Sequence, residues 1–338
     1  MISVGILGAS GFAGSELLRL LAVHPEFDVR VAGADSQAGT AVADLYPSLA
    51  AAYPGLRFTA AGTAECAGLD LVFLGLPHGL SQSIVPELLG TVKWVVDAAS
   101  DFRLTDAALY PRWYGQDHPA PELLSEAAYG IPELFRAQIA GSQLVAVAGC
   151  YPTGAALAIA PFVRAGLIET TGVIVNAVTG VSGAGRPPKE HTTFCAADEN
   201  FTAYGLLDHR HPPEIEQATG AQVLFTPHLA PMNRGIFTTV YARPTGPCDT
   251  AALLSCLDTT YGDEPFIVVD ERVPSTKATQ GANTAHLSAR YDERTGTVLV
   301  LSAIDNLVKG TSGQAIQCAN LLAGLPETTG LPLVGLMP

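Results

Sequence analysis

One cysteine in this chain of 338 residues has the surroundings of a nucleophile. Residues 144–148 form an apolar run that predicts a buried strand, Gly149 ends it, and Pro152 opens an Ala- and Leu-rich run that predicts a helix. Cys150 lies between the two. Unpaired backbone N–H groups and the positive end of a helix dipole favour the thiolate there. The alternative is a small buried core residue, which most free cysteines are.

Two histidines are candidates for general acid–base chemistry. His209 and His211 stand just before Pro212 and Pro213, which predict the start of a helix with Glu214 in its first turn. Histidine titrates near neutral pH, so it can exchange a proton with a cysteine or a reacting oxygen. A His-x-His pair can also bind a metal, but no third ligand lies near in sequence, and we expect no metal site.

The N-terminal residues predict a dinucleotide-binding turn. Residues 3–7 form a short apolar strand, and three glycines then precede a helical pattern over residues 15–23. Gly8 permits the tight turn, Gly11 lets a pyrophosphate approach the backbone, and Gly14 allows close packing of helix and strand. The spacing G-x-x-G-x-x-G is a variant of the dinucleotide fingerprint, and its place between strand and helix makes the signal specific.

The residues after the second predicted strand, residues 29–34, do not decide whether the cofactor is NAD or NADP. Asp35, Ser36 and Gln37 follow it. An acidic residue there favours NAD because it holds the ribose 2′-OH, whereas Ser36, Gln37 and their backbone could bind the 2′-phosphate of NADP. No Arg or Lys lies in this stretch, so the residues alone do not decide between the two cofactors.

Three arginines are candidates for binding an anionic substrate. Arg103 follows the predicted strand 94–97, Arg186 ends a Gly- and Ser-rich loop, and Arg234 precedes a predicted strand. Ligands of open α/β sheets bind beyond the carboxyl ends of strands, and a Gly-rich loop can wrap N–H groups around an anion. The alternatives are a salt bridge to a nearby aspartate for Arg103 and a flexible surface loop for Arg186.

Together these parts suit the reduction of an acyl phosphate to an aldehyde. A thiolate attacks the activated acyl group to form a thioester, a nicotinamide cofactor reduces it, and a histidine moves the proton. Basic side chains neutralise the phosphate. An alcohol dehydrogenase would not need the cysteine.

Composition limits the partners and the compartment. The chain has 18 basic and 32 acidic residues, a net charge of −14, which argues against nucleic acid or an anionic membrane as a partner. No apolar run reaches about 18 residues, and no charged leader precedes the first strand. Six scattered cysteines indicate neither a zinc site nor disulfides and fit a reducing compartment. We expect a soluble cytoplasmic protein.

Length and strand order predict an α/β protein of two domains. Residues 1–149 with 306–338 form the dinucleotide-binding domain, to which the final helix returns, and residues 150–305 form the second. Residues 111–133, rich in Pro, Tyr and Trp, predict a packed connection. A turn-rich stretch with Gly281 and Gly296 interrupts the second domain. Its predicted strands form one mixed sheet and lie at residues 173–178, 223–227, 236–243, 266–269 and 298–303.

Eight motifs between Gly8 and Gly310 resemble the N-acetyl-γ-glutamyl-phosphate reductase family of arginine biosynthesis. In order they read GASGFAG, LPHG, DFRL, GCYPT, TGVSGAGR, HRHPPEI, TPHLAPMNRG and DNLVKG. The combination of GCYPT with HRHPPEI is highly specific. The resemblance implies a Rossmann domain plus a glyceraldehyde-3-phosphate-dehydrogenase-like α+β domain with a mixed sheet, and a more distant likeness to aspartate-semialdehyde dehydrogenase.

The same resemblance implies a reaction and roles for individual residues. Cys150 would form the thioacyl intermediate and His211 would be the acid/base, with His209 the weaker candidate. The implied reaction is the NADPH-dependent reduction of N-acetyl-γ-glutamyl phosphate to N-acetylglutamate 5-semialdehyde, by a homodimer or homotetramer. With Ser36, the residues assigned to the NADP site are Gly8, Ser10, Gly11, Phe12, Ala13, Pro77, Ser182, Gly183 and Asn306.

Two other functions stay open. One is the same chemistry on a carrier-bound aminoadipyl phosphate of the lysine pathway, although a protein carrier would favour a basic rim that a net charge of −14 does not suggest. The other is a dinucleotide-binding regulator without activity, against which the pair of Cys150 and His211 argues. The candidates for substrate contacts are Arg103, Arg186, His209 and Arg234.

Overall fold

The computed structural model describes residues 1–337, and the chain divides into two compact units. The first unit comprises residues 1–148 and 311–331. The second comprises residues 149–310 and 332–337.

The C-terminal boundary differs from the predicted one. Residues 306–310 and 332–337 belong to the second unit, not to the first. Backbone hydrogen bonds explain the second of these assignments. The Asn283 N–H donates to Pro332 O at 2.8 Å, and the Leu336 N–H donates to Gln280 O at 2.7 Å.

Strands and helices alternate in the first unit. Its elements up to residue 147 are β1 (Ile2–Leu7), α1 (Phe12–Leu21), β2 (Phe27–Gly33), α2 (Val42–Leu45), β3 (Leu71–Leu74), α3 (Ser81–Leu88), β4 (Trp94–Asp97), α4 (Tyr110–Tyr114), β5 (Ala128–Gly130), α5 (Pro132–Ala140) and β6 (Leu144–Val147). The strands form one parallel sheet in the order β2-β1-β3-β4-β6-β5. β3 and β6 are apolar and buried along their whole length, as strands of a parallel sheet covered on both faces are.

The second unit is built on a seven-stranded mixed sheet. Its elements are α6 (Cys150–Arg164), β7 (Val173–Gly180), α7 (Phe194–Ala197), β8 (Thr202–Ala203), α8 (Pro212–Thr219), β9 (Val223–Ala230), β10 (Ile236–Ala242), α9 (Thr250–Tyr261), β11 (Ile267–Val269), α10 (Thr276–Thr279), β12 (Ala285–Asp292) and β13 (Thr297–Ile304). The strand order is β11-β12-β13-β10-β7-β9-β8, in which only the pairs β7–β9 and β11–β12 are parallel. The predicted mixed sheet is therefore present.

Helix α6 packs on the centre of this sheet, against β10 and β13. Gly154 permits the close approach, since a Cβ there would lie 3.2 Å from Thr238 Oγ1 and 3.4 Å from Ser302 Oγ. Residues 151–162 of the helix are all buried. This packing fixes the helix and, with it, the cysteine at its first position.

The last helix, α11 (Gly313–Leu322), belongs to the first unit and is almost fully buried. Two of its polar side chains are hydrogen-bonded within that unit. Gln317 Nε2 donates to Glu133 Oε1 at 2.9 Å, and Asn320 Oδ1 lies 3.0 Å from His24 Nε2. Among residues 1–337, no helix is both long and apolar enough to cross a bilayer.

Candidate active site and dinucleotide-binding edge

Cys150 is the first residue of α6, two residues earlier than the sequence pattern predicts. Gly149 caps the helix with an extended backbone, and its carbonyl accepts the Thr153 N–H at 2.9 Å. The Cys150 side chain is partly exposed, and a Cβ on Gly310 would lie only 2.9 Å from Cys150 Cβ. Cys150 therefore lies, partly exposed, at the N-terminus of a long helix, where the helix dipole favours the thiolate.

A fully buried carboxylate joins the cysteine turn to the histidine turn. The Gly149 N–H donates to Glu214 Oε1 at 2.6 Å, and Glu214 is 0% exposed. Glu214 lies in the first turn of α8, three residues after His211, which caps that helix. The sequence pattern places Glu214 only at a helix start and gives no sign of its contact with the residue before Cys150.

The two predicted histidines lie together in an aromatic cluster with Tyr151, the residue after the cysteine. The rings of His209 and His211 are 4.5 Å apart, and the His211 ring is 5.8 Å from that of Tyr151. Phe225 completes the cluster, 5.3 Å from both His209 and Tyr151. The structure thus brings HRHPPEI and GCYPT to one place.

His209 is held as a neutral ring. Burial, followed by the charge of Arg210, lowers the pKa of His209 to about 4. Its Nδ1 accepts the backbone N–H of His211 at 3.2 Å, so the ring proton of the neutral form resides on Nε2. His209 therefore orients the backbone of His211, while the backbone contact keeps Nδ1 from accepting a substrate proton.

Two tyrosines lie beside the cysteine as neutral phenols. Tyr151 donates its hydroxyl to His228 O at 3.0 Å, and Tyr204 donates to the Tyr151 hydroxyl at 3.1 Å. Burial raises the pKa of Tyr151 far above its usual range and that of Tyr204 to about 12. His228, which the motif TPHLAPMNRG contains, contributes its backbone carbonyl to this network.

Asp305 and Asn306 follow β13 and contact two of the predicted site residues, Arg234 and Ser182. Asp305 is 0% exposed, and its carboxylate is 3.1 Å from Arg234 Nε. Asn306 Oδ1 accepts the Gly235 N–H at 2.7 Å, and Asn306 Nδ2 donates to Ser182 Oγ at 3.0 Å. The structure therefore brings the predicted Ser182 and Asn306 into contact, and it commits much of the Arg234 charge to Asp305.

Arg186 differs from Arg234 in having no partner among residues 1–337. It lies on the loop after β7, and its buried Nε makes no hydrogen bond to any of these residues. No carboxylate in the same range forms an ion pair with it. Of the three predicted arginines, Arg186 is thus the one without a partner among residues 1–337.

Arg103 is hydrogen-bonded to two strand ends of the first unit. It is 8% exposed, and its guanidinium donates to Val147 O at 2.8 Å and to Ala98 O at 3.0 Å. These carbonyls lie at the ends of β6 and β4, so Arg103 ties two strand ends together. Two of its donors are thus committed to the protein, and its part in substrate binding stays a prediction.

The N-terminal glycines fit a dinucleotide. Gly8 has φ +90°, and a Cβ there would lie 2.4 Å from Gly75 O. A Cβ on Gly14 would lie 2.4 Å from Gly8 O, whereas one on Gly11 would meet only Gly8 O, at 3.5 Å. Gly8 and Gly14 are therefore required by the protein's own packing, but Gly11 borders open space. That space lies at the N-terminus of α1, where a pyrophosphate binds in such folds.

The motifs LPHG and DFRL form a polar network at the ends of β3 and β4. Asp101 is fully buried and accepts from His78 Nδ1 at 2.6 Å and from the Gly79 N–H at 3.0 Å. Ser81 Oγ lies 2.9 Å from carboxylate oxygens of both Asp97 and Asp101. Burial, followed by the charge of Asp101, raises the pKa of Asp97 to about 7. The network fixes the loop that begins at Pro77.

Two family models match the chain, and the boundary between them lies close to the boundary between the two units at residues 148 and 149. The family described as semialdehyde dehydrogenase, NAD binding domain, matches residues 3–142. The family described as semialdehyde dehydrogenase, dimerisation domain, matches residues 150–306.

Three relatives of nearly the same length carry the same name. The N-acetyl-gamma-glutamyl-phosphate reductase of Pseudomonas putida is 45% identical and is covered completely, as is this chain. That of Symbiobacterium thermophilum is 47% identical over 98% of this chain and 97% of the relative. That of Geobacter sulfurreducens is 44% identical over both full lengths.

Solved structures of similar fold include aspartate semialdehyde dehydrogenases. Enzyme II of Vibrio cholerae, complexed with ASA, has a TM-score of 0.71 at 18% identity and covers 96% of this chain and 98% of its own. The Candida albicans enzyme with NADP has a TM-score of 0.67 at 15% identity, over 96% and 98%. At these identities the likeness concerns the fold.

Proposed function

The chain belongs to the N-acetyl-γ-glutamyl-phosphate reductase family, and from that membership we propose that it reduces N-acetyl-γ-glutamyl phosphate to N-acetylglutamate 5-semialdehyde with NADPH, in arginine biosynthesis. The observation that carries the proposal is the position of Cys150. It opens α6, and the residue before it is hydrogen-bonded at 2.6 Å to the helix turn that presents His211. A thiol and a histidine are the two groups that thioester chemistry requires.

The first half-reaction is acyl transfer to the cysteine. The Cys150 sulfur attacks the acyl carbon, the new C–S bond forms, and the bond from carbon to the phosphate oxygen breaks. His211 accepts the thiol proton during attack and supplies a proton to the departing phosphate. The helix N-terminus favours the attacking thiolate. His209 keeps the His211 backbone in place through the contact at 3.2 Å.

The second half-reaction releases the aldehyde. When bound, NADPH supplies the hydride that reduces the thioester carbon. The C–S bond then breaks, and the Cys150 thiolate is regenerated and takes a proton from solvent. We assign to the cofactor, in the first unit, Gly8, Ser10, Gly11, Phe12, Ala13, Ser36 and Pro77, and in the second, Ser182, Gly183 and Asn306.

Arg186 is the residue we assign to the substrate's negative charge. Its buried Nε has no hydrogen-bond partner among residues 1–337, and leaving a buried N–H unpaired is costly. A phosphate or carboxylate on the substrate would satisfy it. Arg234 is the second candidate. It attracts an anion less strongly, because it already pairs with Asp305.

We infer that the chain forms a homodimer or homotetramer through the outer face of its second sheet. Ile174 is in register with both Leu224 and Tyr241, so three apolar side chains stand side by side on neighbouring strands. They are 38%, 50% and 39% exposed. A second copy would cover this face, and the match to a dimerisation domain over residues 150–306 supports that partner.

A cytoplasmic location completes the proposal, because the attacking group must be a free thiol and reducing compartments preserve it. The test of the reaction is an assay in reverse, with N-acetylglutamate semialdehyde, NADP and inorganic phosphate. We expect sustained NADPH formation only when phosphate is present. Steady turnover independent of phosphate, or a preference for a carrier-bound aminoadipyl substrate in the forward assay, would contradict the assignment.

A further inference from the structure

The residues after β2 receive the adenosine ribose in folds of this kind, and they set the choice between NAD and NADP. β2 ends at Gly33, and Asp35, Ser36 and Gln37 form a single helical turn after it. Asp35 Oδ1 already accepts the Ala61 N–H at 2.7 Å. One carboxylate oxygen is thus engaged in holding a neighbouring segment, and only the other is left for a ribose hydroxyl.

That neighbouring segment pairs with the last residues of β2 and carries Arg57, two residues before Thr59, which lies opposite Gly33. The Thr59 N–H donates to Ala32 O at 2.9 Å, which aligns the segment with the end of β2. The Phe58 N–H donates to Thr40 O at 2.9 Å, and the Gly39 N–H donates to Phe58 O at 2.8 Å. Backbone pairing therefore fixes the position of Arg57 relative to the loop that follows Asp35.

The side chain of Arg57 lies across this loop with most of its donors free. Nη1 donates to Gly39 O at 2.7 Å. The side chain is exposed and forms no ion pair with any residue from 1 to 337. In sequence it is the only Arg or Lys between Arg30 and Lys93. It is accordingly the one permanent cation that this stretch of the chain brings to the loop after β2, which it contacts at Gly39.

We propose that Arg57 binds the 2′-phosphate of NADPH and thereby determines the preference for NADP over NAD. A guanidinium suits a phosphate because two parallel N–H groups can bind two oxygens. Its charge also offsets the repulsion between a 2′-phosphate and Asp35. This inference rests on the proposed function, since it takes NADPH to be the hydride donor.

The test is equilibrium binding of two nucleotide probes to the full-length protein by calorimetry. 2′,5′-ADP carries the 2′-phosphate and 5′-AMP does not. We expect Arg57→Met to weaken 2′,5′-ADP binding by about tenfold or more, the size of one charge-assisted contact, and to leave 5′-AMP binding unchanged. Arg57→Lys should retain part of the affinity. The matched control is Arg30→Met, which removes an exposed arginine on β2 that pairs with Asp28.

An unchanged affinity of Arg57→Met for 2′,5′-ADP would overturn the inference, as would an equal loss for both probes or an equal loss in Arg30→Met. A reductase assay on the same proteins separates this result from the proposed function. If reduction proceeds with NADH as well as with NADPH and Arg57→Met changes neither, the role of Arg57 fails and the reaction stands. If 2′,5′-ADP binding depends on Arg57 but no acyl phosphate is reduced, the reaction fails and the role of Arg57 stands.

Discussion

Glu214 accepts the backbone N–H of Gly149 at 2.6 Å, and this bond joins two turns that lie 65 residues apart in sequence. One turn presents Cys150 and the other presents His211. Since Glu214 is 0% exposed, the bond is made without competition from water. The proposed nucleophile and the proposed acid/base are therefore held by a shared buried contact as well as by their own helices.

We predict that Glu214→Ala slows catalysis and destabilises the fold, whereas Glu214→Gln retains most of both. Alanine leaves a buried N–H unpaired, at a cost of roughly 1–3 kcal/mol. Glutamine keeps an acceptor oxygen at the same place. The measurements are kcat/KM, urea unfolding and the rate at which iodoacetamide alkylates Cys150. Equal damage from the two substitutions would show that the negative charge, not the acceptor, is what matters.

His211→Asn should lower kcat/KM by roughly 10²–10⁴, the contribution of general acid–base catalysis. His209→Asn should cost much less, because an asparagine oxygen can accept the His211 N–H in place of Nδ1. Since its pKa is about 4, His209 is neutral at neutral and alkaline pH, so the pH–rate profile there should keep its shape in His209→Asn. An equal loss in both variants would mean that the wrong histidine was assigned.

Arg186→Met should raise KM for the acyl phosphate, and for phosphate in the reverse assay, with kcat/KM falling by roughly 10- to 100-fold. The reason is the loss of a cation whose Nε has no protein partner within residues 1–337. Lys189→Met is the matched control, because it removes an exposed charge from the same loop. If Lys189→Met has a comparable effect, Arg186 acts only through the overall charge of the loop and not through a direct contact with the substrate.

The buried carboxyl of Asp97 makes stability depend on pH. Its pKa is about 7 in the folded protein, against 3.8 for an exposed aspartate. Between these values the folded state binds more protons than the unfolded state, so the contribution of Asp97 to stability falls as pH rises from about 4 to 7. An asparagine at this position would not titrate, which is why the test substitution is Asp97→Asn.

Relative to the unsubstituted protein, Asp97→Asn should therefore gain stability as pH rises through that window and show a constant difference above it. Urea unfolding of the two proteins at about pH 5 and about pH 8, on either side of the folded-state pKa, measures the change. A difference that is independent of pH, or that moves against the variant toward alkaline pH, would contradict the raised pKa of Asp97.

The sequence predicts the first unit well because its strands are short, continuous apolar runs between glycine-rich turns. The predicted bounds of β4 and β6 agree with the structure within one residue. The second unit is predicted less completely. β12 (Ala285–Asp292) lies in the stretch predicted as turn-rich, because two glycines flank a strand that mixes polar and apolar residues. β5, with three residues in a region without periodicity, has no signal of its own.

The sequence predicts those parts of the candidate site that lie within a local motif. It does not predict the contacts that the fold makes between residues distant in sequence. Cys150 and His211 stand in distinctive local motifs. The bond from Gly149 to Glu214 and the approach of Arg57 to Gly39 join residues distant in sequence, and no periodicity indicates them. Arg103 resembles an anion-binding residue because basic residues are few, but only the packing shows that its guanidinium is bound to two backbone carbonyls.

The thioester on Cys150 is the central claim, and a reaction without phosphate tests it most directly. The protein is mixed with N-acetylglutamate semialdehyde and NADP, and NADPH formation is followed while intact mass is recorded. We predict a burst of one NADPH per subunit, an acyl adduct on Cys150, and renewed turnover when phosphate is added; Cys150→Ser should bind NADP and give no burst. Phosphate-dependent turnover that proceeds without an adduct on Cys150, or that survives in Cys150→Ser, would contradict the account.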